Sequence, residues 1–317
     1  MKYSIITAVY NREDCIPRCI KSVIRNLNYC NDCEHIIVDD CSTDNTANII
    51  YDYSKKYSHI KFEKFTINKG TNAARNYAIS KACGKYCIIL DSDDYFIDNA
   101  LQIIDNIISK KSYNYYVFCP NDMIESYNHN ELLQSYQVEL SFKDFLLNKV
   151  SGDFIHVMPT EIIRKLPFNE DLRIYEGVFF LRFYKQVNKI LFTKEIVTIR
   201  ERSRKDSVTR EVFRTNKISI QKNITATNIL INWFYSDYLK YNAKGTLVMN
   251  YLNLIENYIL LSDYVNAKTI IGKVKSLGYN ISPKANFLYY FRIGYLYRLL
   301  LKFYLIIKYS IFNKRLK

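Results

Sequence analysis

Three short apolar runs in this chain end the same way. YSIITAVYN (residues 3–11), EHIIVDDCSTDN (34–45) and YCIILDSDDYF (86–96) each begin as a buried strand and close on a polar or acidic cluster. Crowded carboxylates raise one another's pKa unless a cation or donor compensates. A chain that places Asp91, Asp93 and Asp94 at the end of an apolar run therefore asks for a positive partner. Between the runs lie helical patterns: roughly 13–27, then TANIIYDYSKKY with Ser, Thr, Asp and Asn placed to cap it, then KGTNAARNYAISKACGKY with Gly84 as a left-handed stop. IKFEKFTIN supplies a further strand. Strands alternating with helices over the first hundred residues predict an α/β fold with a mostly parallel sheet. In such sheets ligands bind beyond the carboxyl ends of the strands. Asn11, Asp39/Asp40 and Asp91–Asp94 all fall at such ends, so three separate motifs point to one site.

From about 113 to 215 the pattern is mixed, with strands expected at NYYVFCP, KILF and EIVTIR; beyond 215 it is helical. The expected organisation is one α/β domain over 1–215, in two parts, 1–105 and 106–215. A helical region with a basic tail follows over 216–317.

The carboxylate cluster suits a hard divalent cation, Mn²⁺ or Mg²⁺, held by one or two carboxylates and completed by substrate phosphates and water. Other phosphate sites do not fit. The chain has no G-x-x-x-x-G-K-[ST] loop and no G-x-G-x-x-G turn, and its eight glycines leave little material for a phosphate cradle. Histidines 35, 59, 129 and 156 form no ligand cluster in sequence. Cys15, Cys19, Cys30 and Cys33 have spacing that could ligate zinc, but Cys15 and Cys19 sit four apart on a helix with a core face, and core thiols are the favoured reading.

The motifs SIITAVYNRE, IIVDDCSTDNT, NKGTNAARNYAI and YCIILDSDDYF, in this order and spacing, resemble family 2 glycosyltransferases of the GT-A fold. The match is strong over residues 1–105 and weak over 106–215, and it implies a glycosyltransferase domain over 1–215 with a nucleotide-binding half (1–105) and an acceptor-binding half (106–215). The resemblance implies a GT-A type, Rossmann-like, mostly parallel sheet flanked by helices and followed here by a C-terminal helical region. It implies inverting transfer from a UDP-sugar to a glycan or polyprenyl-diphosphate-linked acceptor in bacterial surface polysaccharide synthesis. By resemblance, Ala8, Val9, Tyr10 and Asn11 line the nucleotide site, Asp40 accepts from uracil N3–H and Asp39 braces the strand end. Lys69, Asn72 and Arg75 lie near the nucleotide. Asp91 reaches the ribose beside Ser92, and Asp93 holds the metal. Glu176, before Phe179 and Phe180, is the expected general base, with Glu170 or Asp171 as the fallback; Gly177 stands where the family often has a second acid. Arg202, Arg204 and Ser207 fall in a loop that in the family closes over the diphosphate, although the family's histidine is missing from it.

Charge is unevenly spread. Residues 1–100 hold 13 basic and 13 acidic side chains, whereas after Asp263 there are 11 basic and none acidic. A single helix is expected from about 287 to 312. At about 100° per residue it would gather Arg298, Lys302 and Lys308 within an arc of roughly 120°, with Arg292 about 80° beyond, and leave the rest apolar. That pattern suits an anionic membrane surface, or packing on the domain. No apolar leader opens the sequence and no run of roughly 18 uncharged apolar residues occurs, so the expectation is a cytoplasmic protein attached peripherally to the inner membrane. Two other readings compete. A sugar nucleotidyltransferase would need a glycine-rich N-terminal signature, which is absent; a basic nucleic-acid-binding protein would not put acids at its strand ends. No nucleic-acid partner is therefore expected.

Overall fold

The computed structural model describes residues 1–30, 32–200 and 215–315, with side chains to residue 308. Arg202, Arg204 and Ser207 lie outside the described residues. The chain divides into two compact units, Met1–Arg204 and Lys205–Lys317.

The first unit opens with β1 (Tyr3–Val9), α1 (Ile16–Asn26), β2 (Cys33–Asp39), α2 (Thr46–Lys56), β3 (Ile60–Lys64), α3 (Thr71–Lys81) and β4 (Tyr86–Ile89). It continues with β5 (Tyr95–Phe96), α4 (Ala100–Lys110), β6 (Tyr115–Phe118), α5 (Ile124–Asn128), β7 (Gln137–Leu140) and α6 (Phe142–Leu146). β8 (Ile155–Pro159), α7 (Thr160–Lys165), α8 (Gly177–Val187), β9 (Ile190–Thr193) and β10 (Thr198–Ile199) complete it. Eight strands form one sheet in the order β3-β2-β1-β4-β8-β6-β9-β7, and β10 pairs with β5 in a small second sheet. Only β8 and β7 run against the rest, so the carboxyl ends of six strands share one edge.

Local sequence explains these elements. β1 and β2 are buried along almost their whole length, as strands covered on both faces must be. α1 presents Ile16, Cys19, Ile20 and Val23 to the core at helical spacing, with a proline in its first turn. The cysteines are free thiols, and Cys15, Cys19 and Cys33 are buried among apolar side chains. β2 also carries a buried acid: Glu34 accepts from Ser4 Oγ and Cys83 N, each at 2.6 Å, and pairs with Lys61. Burial opposes its ionisation, but these partners outweigh it and hold the carboxyl below its usual value.

One sequence expectation is corrected here. Gly84 is not a left-handed stop: α3 ends at Lys81, followed by an extended Ala82, and Gly84 has no positive φ. It is glycine because a Cβ there would lie 2.5 Å from Ser4 N on β1. Close approach of backbone, not turn geometry, sets the residue.

The second unit is helical: α9 (Lys217–Lys240), α10 (Lys244–Leu260), α11 (Tyr264–Ser276), α12 (Pro283–Tyr290) and α13 (Gly294–Arg315). Asn253 Nδ2 donates from α10 to Asn223 Oδ1 (2.7 Å) and Thr227 Oγ1 (2.9 Å) on α9, which fixes the pairing of the two helices. The single terminal helix expected over 287–312 is two helices instead. Arg292 takes φ 53° in the turn between them, and Gly294 abuts α10 so closely that a Cβ would sit 1.9 Å from the Ile259 carbonyl oxygen.

Candidate active site

At the shared edge, the β1 end is tied to the loop after β2. Asn11, in the left-handed region at φ 50°, accepts from Thr43 N through Oδ1 (2.8 Å) and donates its own N–H to Ser42 Oγ (2.8 Å). Tyr10 is 43% exposed at this edge, and Ala8 is partly exposed. Val9 turns its side chain into the hydrophobic core, while its carbonyl accepts from Asp40 N at 2.8 Å.

The two acids at the end of β2 have different roles. Asp39 is fully buried, accepts from Ser42 N and Oγ, and faces Lys64 Nζ at 3.9 Å. Burial outweighs those partners and raises its pKa. It braces the turn. Asp40, 3% exposed, accepts from Lys69 N (2.7 Å) and Gly70 N (2.8 Å), one amide to each oxygen. Gly70 permits this at φ 94°. Lys69 itself is exposed, with Nζ 4.7 Å from the Phe65 ring centre. Asp40 thus holds the loop that starts α3.

One face of α3 then reaches across the site. Arg75 Nη2 donates to Asp91 Oδ1 at 2.7 Å, and Arg75 Nη1 lies 3.6 Å from Glu176 Oε1. Asn72 Nδ2 donates to the Asn169 carbonyl (2.9 Å). Asn76 pairs with the backbone of Phe168 in both directions: Nδ2 donates to its carbonyl and Oδ1 accepts from its N–H, each at 2.9 Å. Residues 72, 75 and 76 are spaced so that they share a helix face. That face therefore fastens the segment ahead of α8 to the part of the sheet built from residues 1–105. Asn72 is buried and spans the two halves, a role its position in the motif did not suggest.

Asp91 follows β4 and its side chain is half exposed. Desolvation would raise its pKa, yet the charges of Arg75, Arg173 and Arg200 outweigh this and hold it below the usual carboxylate value. Ser92 is buried, and Asp93 is partly exposed with its carbonyl accepting from Arg18 Nη2 at 3.1 Å. Glu176 immediately precedes α8 and makes no side-chain cap to it. The fallback acids stand further out: Glu170 and Asp171 are exposed, and Glu170 accepts from Asn76 at 3.1 Å.

Among the described residues no three His, Cys, Asp or Glu side chains are grouped to hold a metal by themselves. The oxygen donors of the Asp91–Asp93 turn fit Mn²⁺ or Mg²⁺ only where phosphate and water complete the shell, which is how such ions commonly bind. A second charged group at the same edge escaped the sequence reading. Arg200, after β10, bonds Asp122 through Nε (2.8 Å) and Asp153 through Nη1 (2.8 Å). The signal was present, since FCPND repeats the apolar-run-then-acid design at the end of β6.

Fold and strand-end site together define an α/β glycosyl-transferring enzyme of GT-A architecture. The glycosyl transferase family 2 model matches residues 4–172, and the chain belongs to that family. Among curated relatives, the chain is 29% identical over 216 residues to the GalNAc(5)-diNAcBac-PP-undecaprenol beta-1,3-glucosyltransferase of Campylobacter jejuni, covering 66% of this chain and 67% of that one. It is 43% identical over 102 residues to the poly(ribitol-phosphate) beta-glucosyltransferase of Bacillus spizizenii, covering 32% of this chain and only 16% of that protein. Among solved structures, Staphylococcus aureus TarS 1-349 in complex with UDP aligns with TM-score 0.57 at 18% identity, covering 94% of this chain and 92% of that one. The mannosyltransferase PcManGT of Pyrobaculum calidifontis, solved with GDP-Man and Mn²⁺, aligns with TM-score 0.57 at 15% identity, covering 96% and 85%. These likenesses bear out the expected family and fold and set aside the nucleotidyltransferase reading.

Proposed function

We propose that this glycosyltransferase moves a sugar, with inversion, from a UDP-sugar to a glycan or polyprenyl-diphosphate-linked acceptor in bacterial surface-glycan synthesis. The observation that carries this reading is the convergence of Asp91 and Glu176 on Arg75 at the strand-end edge. In this reading a ribose-facing acid and a candidate base flank one cation. The Campylobacter relative, named for an undecaprenol-diphosphate-linked glycan, and the neighbour solved with UDP support the acceptor and donor classes.

In this reading Tyr10, Ala8 and the loop held by Asp40 receive the nucleobase, and Asp91 the ribose. Glu176 takes the proton of the acceptor hydroxyl as its oxygen attacks the anomeric carbon. The bond from that carbon to the diphosphate breaks, and UDP leaves with the electron pair. Mn²⁺ or Mg²⁺ at Asp93, when bound, would neutralise charge building on the departing diphosphate. Arg75, freed from Asp91 by a bound nucleotide, remains beside Glu176. The proposed location is the cytoplasmic face of the inner membrane, with attachment at the surface; among the described residues no helix is long and apolar enough to cross a membrane.

A panel of nucleotide sugars, with Mn²⁺, Mg²⁺ or chelator, tests the reading by release of nucleoside diphosphate. UDP-sugars should turn over with metal. Preferential turnover of a GDP- or CDP-sugar would overturn the donor assignment.

A further inference from the structure

The terminal helix α13 has two faces, and they differ from the sequence expectation. Gly294, Tyr297, Leu301 and Leu305 are its buried or partly buried apolar positions. At about 100° per residue they occupy an arc of roughly 80°. Tyr295, Leu296, Leu299, Leu300, Phe303 and Tyr304, in three adjacent pairs one turn apart, are 43–65% exposed. These six spread over the opposite arc of about 180°. Arg298 and Lys302 border that arc on one side, while Lys308 is an exposed cation beyond Leu305 on the arc of the packed strip. Packing therefore uses a narrow strip and leaves the wide apolar arc, bordered by cations along one side, facing outward. Isolated exposed apolar residues are ordinary, but a contiguous set marks an interaction surface.

From this we infer that the outward arc of α13 is a docking surface for an anionic phospholipid bilayer. Charge decides among partners. The chain after Asp263 has 11 basic residues and no acidic one. A second copy of this chain meeting the arc about a two-fold axis would set cations against cations with no acid between them. A nucleic acid would satisfy the cations but not six large apolar side chains. An anionic leaflet satisfies both: rings and aliphatic chains enter the headgroup boundary while Arg298 and Lys302 reach back to phosphate. The helix would lie along the surface. This deepens the membrane location proposed above but is independent of the transfer reaction, so failure of either leaves the other standing.

The full-length chain should sediment with vesicles containing phosphatidylglycerol at least tenfold more tightly than with phosphatidylcholine vesicles, and high salt should release part of it. The double variant Leu300→Glu/Phe303→Glu, confined to exposed positions, should lose that binding at least tenfold with an unchanged melting temperature. Arg298→Gln/Lys302→Gln should lose the preference for phosphatidylglycerol and the salt sensitivity. Equal vesicle binding by the parent and the glutamate variant, or none by the parent, would overturn the inference. So would light scattering that shows a dimer which the glutamate variant splits, because a second copy would then cover the arc.

Discussion

Arg75 Nη1 stands 3.6 Å from Glu176 Oε1, which joins helix α3 to the carboxylate proposed as the base. Glu176→Gln keeps size and polarity but removes proton acceptance. Transfer should fall by roughly 10²-fold or more, while UDP-sugar affinity stays near its original value. Near-normal turnover would move the role to Glu170 or Asp171.

Asn76 closes a two-way amide pairing with the Phe168 backbone. Asn76→Asp keeps the shape but replaces the donor with a carboxylate oxygen facing the Phe168 carbonyl and Glu170 Oε1, so it should cost at least the penalty of an unpaired carbonyl, about 1–3 kcal/mol. If the pairing positions the segment that leads to Glu176, kcat should drop severalfold or more with KM for the donor sugar little changed. A loss of melting temperature with kcat intact would make Asn76 structural only.

Asp40 joins the loop before α3 to the end of β2. Asp40→Ala should weaken UDP binding whether or not metal is present, because the contact in question is to the base and its loop. Calorimetric titration with UDP checks this. Unchanged affinity would put the nucleobase elsewhere.

Two buried histidines give the fold a pH dependence. Desolvation pushes His35 and His156 down to about 3, so both are neutral in the folded chain. In the unfolded chain they titrate near 6.5. Their lowered pKa values contribute stability in full above about pH 6.5, and it is lost progressively as pH falls toward 3, because only the unfolded state gains protons. At pH 5 each should have removed roughly 2 kcal/mol relative to neutral pH. Denaturant unfolding at pH 7 and pH 5 measures the sum. Equal stability at the two pH values would contradict it.

Much of the nucleotide half was legible because its signals are local. An apolar run followed by acids reports a strand end, and a helical pattern after it reports a crossover. What stayed hidden depends on distant partners. Gly84 is explained only by β1 passing beside it. Asn72 and Asn76 act on carbonyls 97 and 92 residues away, so their roles have no local spelling. Arg200 was missed although one of the acids it binds, Asp122, follows the same pattern as the others. In the tail, periodicity separated polar from apolar arcs, but which apolar positions would pack was set by α10 and the close approach of Gly294, which no local pattern encodes.

The most direct test of the account is titration of the full chain with UDP, with and without Mn²⁺, alongside Asp93→Asn. Parent protein should bind UDP more tightly when Mn²⁺ is present, and Asp93→Asn should keep its fold and its metal-independent affinity while losing the gain from Mn²⁺ and sugar transfer with it. Full metal-dependent UDP binding and turnover by Asp93→Asn would contradict it.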